Sequence, residues 1–404
     1  MKLKVIGDDG SVKVYVLDKE HFYDKSLMDK VGYIGTQSKE ENVLKIMKAY
    51  FSNAKIILFD ETNKVIAKQL EYMHICNFPK ENLKNNIFQK SKFSFMYYTS
   101  GTTGDPIGAL KEKSHLLEEV KVLTTLLQNY HIKKVIVTVP FIHLYGTLLG
   151  LIYPLVNDID IVIKEHFLPH DILNLIEENT LVVTTPLYVQ ALSKMSVTMD
   201  LSSSLFISST APLEVKVAQQ FNQKFNTDIM QIFGSTETGG IAYKLNDEIL
   251  WTPFDGVDIS TNENQELKVS SPFVSDVLYE NGFHQINGVM QTFDYIEKKD
   301  EKFKLIGRSS KILKLAGKRY STIQIENILE NIDDIRRALV FVGLEENSLR
   351  GEYLDITLES DKNYTSNEIK NILKEKLSNL KFMIRLKRVE HIPVNQVGKK
   401  LRIK

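Results

Sequence analysis

The sequence predicts an α/β protein: a large N-terminal domain of helix-covered, largely parallel sheets with an antiparallel β portion, followed by a small α+β C-terminal domain. Three observations carry this expectation. Between residues 90 and 235, short apolar runs alternate with amphipathic helical patterns, the order that βαβ units produce. After about residue 245, segments such as LKVSSPFVSDVLY alternate apolar and polar residues, as antiparallel strands do. From about residue 310, two helical and two strand-like patterns make a compact unit of under 100 residues.

The elements follow in order. MKLKVIGDDGSVKVYV reads as a hairpin, two alternating strands around DDGS. Its charges recur every few residues, so it lacks the apolar stretch of a signal peptide. Phe93–Tyr98 predicts a strand that runs into TSGTTGDPIG. From His115 to Tyr130, Leu116, Leu117, Val120, Leu123 and Leu127 recur at helical spacing. KKVIVTVP predicts a buried strand closed by Pro140, and IDIVI, TLVVTT, SLFISS and DIMQIF repeat the pattern. DILNLIEEN and PLEVKVAQQFNQKF predict helices between some of them. In the last unit STIQIENILENI and SNEIKNILKEKLSNL are helical, and RRALVFVGL and EYLDITLE strand-like. A boundary at GRSS, where Gly307 and two serines permit a bend, divides the chain into residues 1–309 and 310–404.

Composition excludes several functions. The 51 basic and 51 acidic residues cancel, which favours neither nucleic acid nor a charged membrane surface. One cysteine, Cys76, rules out an internal disulfide framework and suits a reducing, cytoplasmic compartment. No segment reaches the roughly 18 apolar residues of a spanning helix. LLGLIYPLV comes nearest, and it is short and contains Pro154.

The TSGTTG stretch has two readings. Gly and Thr are ordinary residues of a surface turn after a strand. Glycines also let the backbone approach an anion while N–H groups and hydroxyls donate to it, which makes a phosphate cradle. The Walker pattern G-x-x-x-x-G-K-[ST] is absent, both here and in the GKK near the end.

Five stretches together resemble the adenylate-forming superfamily of acyl-CoA synthetases, peptide-synthetase adenylation domains and luciferases. TSGTTGDPIG resembles its phosphate loop, QIFGSTETGG its aromatic-G-x-T-E signature, and TFDYIE its T-G-D motif. IGRSSKILKLAGKRYSTIQIE resembles its hinge motif and IPVNQVGKKLR its terminal G-K-x-x-R motif. All occur in family order. FGSTETGGIAY followed by WTPFDGV looks most similar to compact acyl- or aryl-acid ligases of polyene-pigment pathways.

The resemblance implies a two-step reaction. A carboxylate attacks the α-phosphate of ATP to give acyl-AMP and pyrophosphate. A thiol, of coenzyme A or of a phosphopantetheinyl acyl carrier protein, then takes the acyl group. Carried over by motif, Thr99, Ser100, Gly101, Thr102, Thr103 and Gly104 would hold the β- and γ-phosphates. Phe233, where the family usually has tyrosine, and Gly234 would meet adenine, and Thr236 would touch the α-phosphate. Glu237 would hold Mg²⁺, a hard cation that prefers carboxylate and phosphate oxygens. Asp294 and Arg308 would meet the ribose. Lys399 would reach the α-phosphate from a mobile C-terminal domain hinged at Ser310. Each stretch alone has a plainer reading: FGSTE as a strand-end turn, Asp294 as a loop-end acid, and the basic last segment as a solvated tail.

The chain also departs from the family. Ile107 stands where the phosphate loop usually has lysine, with Lys111 and Lys113 at the wrong spacing to replace it. Phe293 replaces the glycine of T-G-D. Ser209 and Thr210 replace two glycines of S-G-G-A-P-L, which should narrow the acid pocket. Fewer residues precede the phosphate loop than in typical members, so part of the first half-sheet is expected to be reduced. VPFIHLYG, the pocket motif, offers His143, Tyr145 and Gly146 but no aspartate. Burying an unpaired ammonium costs several kcal/mol, which disfavours an α-amino acid and favours an aryl or acyl acid. Phe141, Tyr145, Tyr188 and Phe206 are candidates for an aromatic slot, at least two of them expected in the core. Two alternatives stand beside the ligase: an adenylating enzyme with a non-thiol acceptor, and a degenerate nucleotide-binding or carrier-docking module without turnover.

Overall fold

The computed structural model describes residues 1–404 apart from 36–37, 80–85, 100–105, 264, 309–311, 316–317, 345–351, 377–382, 395–399 and 401–404. Contacts divide the chain into two compact units, Met1–Ile259 with Val269–Met290, and Ser260–Lys268 with Gln291–Lys404. The boundary expected at 309/310 falls outside the described residues.

The first unit holds two large sheets. In the nine-stranded sheet, Lys2–Ile6, Asp160–Lys164, Lys134–Val137, Thr180–Thr184, Leu205–Ser208 and Asp228–Ser235 run parallel in that spatial order. Val12–Val16 adds antiparallel at one edge, and Gly239–Leu245 and Thr252–Pro253 at the other. The apolar runs follow from burial on both faces: every residue of Thr180–Thr184 and of Leu205–Ser208 is buried. The expected N-terminal hairpin is present, and its first strand also lies parallel to Asp160–Lys164.

The helix Val215–Phe225 shows how one face is covered. Ala218, Phe221 and Phe225 recur at helical spacing and are buried. Phe221 packs edge-on against Phe206, with ring centroids 4.9 Å apart. Burying each ring contributes about 1.5–3 kcal/mol. Asn226 ends the helix in the left-handed conformation, φ 47°. DILNLIEEN makes a shorter helix than its pattern predicts, Pro169–Leu175. The Glu177 N–H donates instead to Thr180 Oγ1 at 3.1 Å, which turns the chain into the next strand.

The second sheet has six strands, in the order Phe283–Gln285, Val277–Tyr279, Ile107–Lys111, Phe95–Thr99, Lys55–Leu58 and Val31–Ile34. The last three are parallel and the rest antiparallel. LLGLIYPLV packs inside this unit as a π-helical turn, Leu148–Ile152, leading into a short helix, Tyr153–Val156. Among the described residues no helix is long and apolar enough to cross a membrane.

A four-stranded sheet, most of whose residues belong to the second unit, is ordered Asp258–Thr261, Glu266–Ser270, Val289–Lys299 and Lys302–Arg308. The small α+β portion of that unit pairs Ile335–Leu344 antiparallel to Glu352–Ser360, which in turn lies parallel to Met383–Val389. The helices Thr322–Glu330 and Ser366–Lys376 contribute Ile325, Leu329, Ile369 and Leu373 to a core with Val340, Leu354 and Ile356.

Candidate functional site

The parallel strands of the nine-stranded sheet end together, and ligands of open α/β sheets bind outside the carboxyl ends of the strands. The Asp228–Ser235 strand ends in the turn Thr236–Thr238, and Gly239–Leu245 returns from it. The register shifts at Phe233/Gly234, a bulge of the kind that re-aims side chains beside active sites. Gly234 has no room for a side chain: a Cβ there would lie 2.3 Å from the Gly239 carbonyl oxygen. The Ser235 N–H donates to Thr238 Oγ1 at 3.0 Å, and the Thr238 N–H donates to Ser235 Oγ at 3.2 Å. Thr236 and Glu237 therefore leave a turn closed by these bonds, and Phe233 lies at the bulge just before it, each of the three partly exposed.

Other expected pocket residues reach the same strand ends. Ser209, one residue past Leu205–Ser208, donates through Oγ to the Ile232 carbonyl at 2.9 Å. Thr210 follows with φ +80°, a glycine-like conformation in a β-branched residue. The Tyr145 hydroxyl lies 3.0 Å from the Thr184 carbonyl and 2.8 Å from the Ile207 carbonyl, so it ties two strand ends together. Burial pushes this phenol well above the usual tyrosine range. Gly146 is forced by close approach, since a Cβ would lie 2.1 Å from the Pro140 oxygen. His143 precedes this turn, and burial holds its imidazole below the ordinary value. Ser208 Oγ is buried with no hydrogen-bond partner among the described residues.

Of the proposed aromatic slot, Phe141 and Phe206 are fully buried and belong to the core. Tyr188 packs beside the same cluster as Phe206 and donates to the Phe167 carbonyl at 3.1 Å.

In the phosphate loop, Thr99 ends the strand Phe95–Thr99, whereas Ser100, Gly101, Thr102, Thr103 and Gly104 lie outside the described residues. Neither nearby lysine replaces the missing one. Lys111 is buried, with Nζ 3.1 Å from the Glu237 carbonyl and bonded to the Phe273 carbonyl. Lys113 Nζ donates to Tyr50 O at 2.6 Å and to Asn53 Oδ1 at 2.7 Å.

In the second unit Asp294 is buried and sits directly across the antiparallel ladder from Arg308, while Phe293 turns outward. The Asp294 N–H donates to Thr292 Oγ1 at 3.1 Å. Ser310 and Lys399 lie outside the described residues. Lys400, next to Lys399 in the chain, donates to Glu326 at 3.2 Å, to Ala338 O at 2.8 Å and to Glu330.

Four residues enter in ways not anticipated from the sequence. Trp251 lies 5.5 Å from Phe233, ring to ring, and Lys244 Nζ lies 5.0 Å from the Trp251 ring. Lys111 and Glu119 are buried beneath the turn. Glu119 had a sequence signal: it falls on the helix stripe of Leu116, Val120, Leu123 and Leu127, where an apolar residue is expected.

The residues suit the groups that the motifs imply. Mg²⁺ is held by one or two carboxylates together with substrate phosphates, not by an all-protein cage. Glu237 supplies one partly exposed carboxylate, and no cluster of three metal-ligating side chains exists among the described residues. Phe233 offers a ring backed by Trp251.

A helix-covered mixed sheet with the FGSTE turn at its strand ends defines an AMP-binding architecture, and the comparisons agree. The AMP-binding enzyme family matches residues 3–272, and the chain belongs to it. It is 24% identical over 315 residues to VraA of Staphylococcus haemolyticus, named a long chain fatty acid-CoA ligase, covering 75% of this chain and 67% of that one. It is 24% identical over 400 residues to CCL5 of Humulus lupulus, named a CoA ligase, covering 88% and 72%. O-succinylbenzoate coenzyme A synthetase (MenE) of Bacillus subtilis, solved with AMP, shares the fold with a TM-score of 0.80 at 16% identity, over 98% of this chain and 94% of that one.

Proposed function

We propose that the chain is an ATP-dependent acid–thiol ligase that activates an aryl or acyl carboxylic acid as acyl-AMP and passes it to coenzyme A. The observation that carries this reading is the gathering of Phe233, Glu237, Ser209 and the Tyr145 turn at the ends of three neighbouring strands. Family membership and relatives named as CoA ligases support it.

A carboxylate is a poor electrophile, and AMP converts its oxygen into a leaving group. Such phosphoryl chemistry rests mainly on positioning and charge stabilisation. Phe233 stacks on adenine, and Thr236 donates to the α-phosphate. Glu237 would hold Mg²⁺, which when bound supplies neutralisation of phosphate charge. Thr99 through Gly104 hold the outer phosphates, Asp294 accepts from the ribose hydroxyls with Arg308 beside it, and Lys399 brings a compact positive charge to the α-phosphate. Residues 310–404 move as a lid about Ser310 between the two steps. His143, Gly146, Ser209 and Thr210 bound the acid, and with no aspartate in that turn an α-amino acid leaves its ammonium unpaired. A reducing, cytoplasmic setting suits free Cys76 and the supply of ATP.

Pyrophosphate release measured across benzoic, cinnamic, fatty and amino acids tests the reading, followed by coenzyme A and a carrier protein as competing acceptors. Glu237→Gln is expected to abolish release while the protein stays folded. Undiminished Mg²⁺-dependent release by this variant, or an amino acid as the fastest substrate, refutes the assignment.

A further inference from the structure

Beneath the turn that carries Glu237 lies a buried pair of opposite charges. Lys111, at the end of the strand Ile107–Lys111, is 1% exposed, and Glu119, on the helix Lys113–Leu127, is 4% exposed. Neither is spent on the other alone. Lys111 Nζ donates to the Glu237 carbonyl at 3.1 Å and to the Phe273 carbonyl. Glu119 Oε1 accepts the Gly240 N–H at 2.7 Å. The Ser275 N–H, at 2.8 Å, is a second donor to the Glu237 carbonyl. The two charges thus grip the two sides of one turn, at Glu237 and at Gly240.

Stability alone does not account for them. Taking an ammonium and a carboxylate out of water costs several kcal/mol each, and well-packed apolar residues of the same volume often serve stability as well or better. Burial pulls the lysine down and pushes the glutamate up, and each charge opposes the shift of the other. What the apolar substitute cannot do is hold a carbonyl oxygen and an N–H at fixed places.

We infer that Lys111 and Glu119 are positioning residues for Glu237, fixing the backbone from which its carboxylate reaches the metal. This rests on the reading of Glu237 given above. It also assigns Lys111 a role other than that of the lysine replaced by Ile107. Lys111 lies on the same strand face, about 13 Å further along, and its ammonium donates to two backbone carbonyls.

The test is the Mg²⁺ dependence of pyrophosphate exchange at saturating ATP and acid, with melting curves to establish folding. Lys111→Met with Glu119→Gln removes both charges together, so no lone charge is left buried. Lys111→Gln with Glu119→Gln keeps an amide N–H for the Glu237 carbonyl. Loss of a group that supports a metal ligand typically weakens metal affinity about 10–100-fold, so the Mg²⁺ half-saturation should rise by that order in the methionine variant and by less in the glutamine variant. Equal half-saturation in wild type and both folded variants, whatever the change in melting temperature, overturns the inference. If the methionine variant does not fold, the glutamine variant decides: a raised Mg²⁺ requirement supports the inference and a wild-type one overturns it. Glu237→Gln, measured alongside, separates the two claims. Wild-type Mg²⁺ saturation in that variant removes the ligand reading itself, whereas lost saturation there with normal saturation in the Lys111 variants removes only the positioning role.

Discussion

Replacing Thr210 by glycine should make the protein more stable, against the usual direction for a glycine substitution. Thr210 holds φ at +80°, where a β-branched side chain crowds its own backbone. Strain of this kind costs about 1–3 kcal/mol. Glycine relieves it but gives the unfolded chain more freedom, at about 0.4–1 kcal/mol. The side chain is exposed, so little buried surface is lost with it. The balance is a gain of about 1 kcal/mol. Urea and thermal unfolding of the purified chain measure it. The same substitution should widen the acids accepted in pyrophosphate exchange, because residue 210 follows Ser209, which is anchored to Ile232 beside the strand ends. A loss of stability greater than about 1 kcal/mol would refute the strain assigned to this position.

Trp251 is the sole tryptophan, so its emission reports on Phe233 directly. ATP should change it saturably in wild type and not in Phe233→Ala; an unchanged signal at saturating ATP contradicts adenine stacking on Phe233. Tyr145→Phe leaves two strand-end carbonyls without their donor and should cost about 1–3 kcal/mol in urea unfolding, with the order of preferred acids unchanged. A reordered acid preference at unchanged stability would mean that the hydroxyl reads the substrate instead. Lys399→Ala should block adenylate formation yet still transfer acyl from a supplied acyl-adenylate to the thiol; equal loss in both half-reactions counts against a lysine used in one step only.

The sequence was most legible where burial is extreme. TLVVT and LFIS are built around apolar residues and are buried at every position because both of their faces are covered, and the amphipathic helix ending in Phe225 announces its buried side by spacing. What depended on distant pairing was not legible. DDGS marks a hairpin, but nothing local says that Lys2–Ile6 also lies along Asp160–Lys164. DILNLIEEN stops early because Thr180 captures the Glu177 N–H, a bond made outside the helical pattern. The same division holds at the site. Gly234 and Gly146 are demanded by contacts within a few residues, so their motifs carry the constraint openly. Tyr145 stood on sequence grounds as a candidate for the aromatic slot of the pocket, whereas its hydroxyl is held by strand-end carbonyls at Thr184 and Ile207. Spacing ruled Lys111 out as the missing loop lysine, but its actual role was hidden because its acceptors, at Glu237 and Phe273, are remote in sequence.

That remoteness bears on the order in which the chain can mature. Lys111 meets one acceptor 126 residues away and another 162 residues away. Contacts of such separation demand large loop closures and form slowly. During synthesis, at about 5–20 residues per second, the segment with Phe273 emerges many seconds after Lys111. Until then the ammonium has no complete set of acceptors, and a dry interior around it is unfavourable. The parallel sheet can therefore assemble while the turn that carries Glu237 is still incomplete, and the nascent enzyme acquires its shape before its site is set.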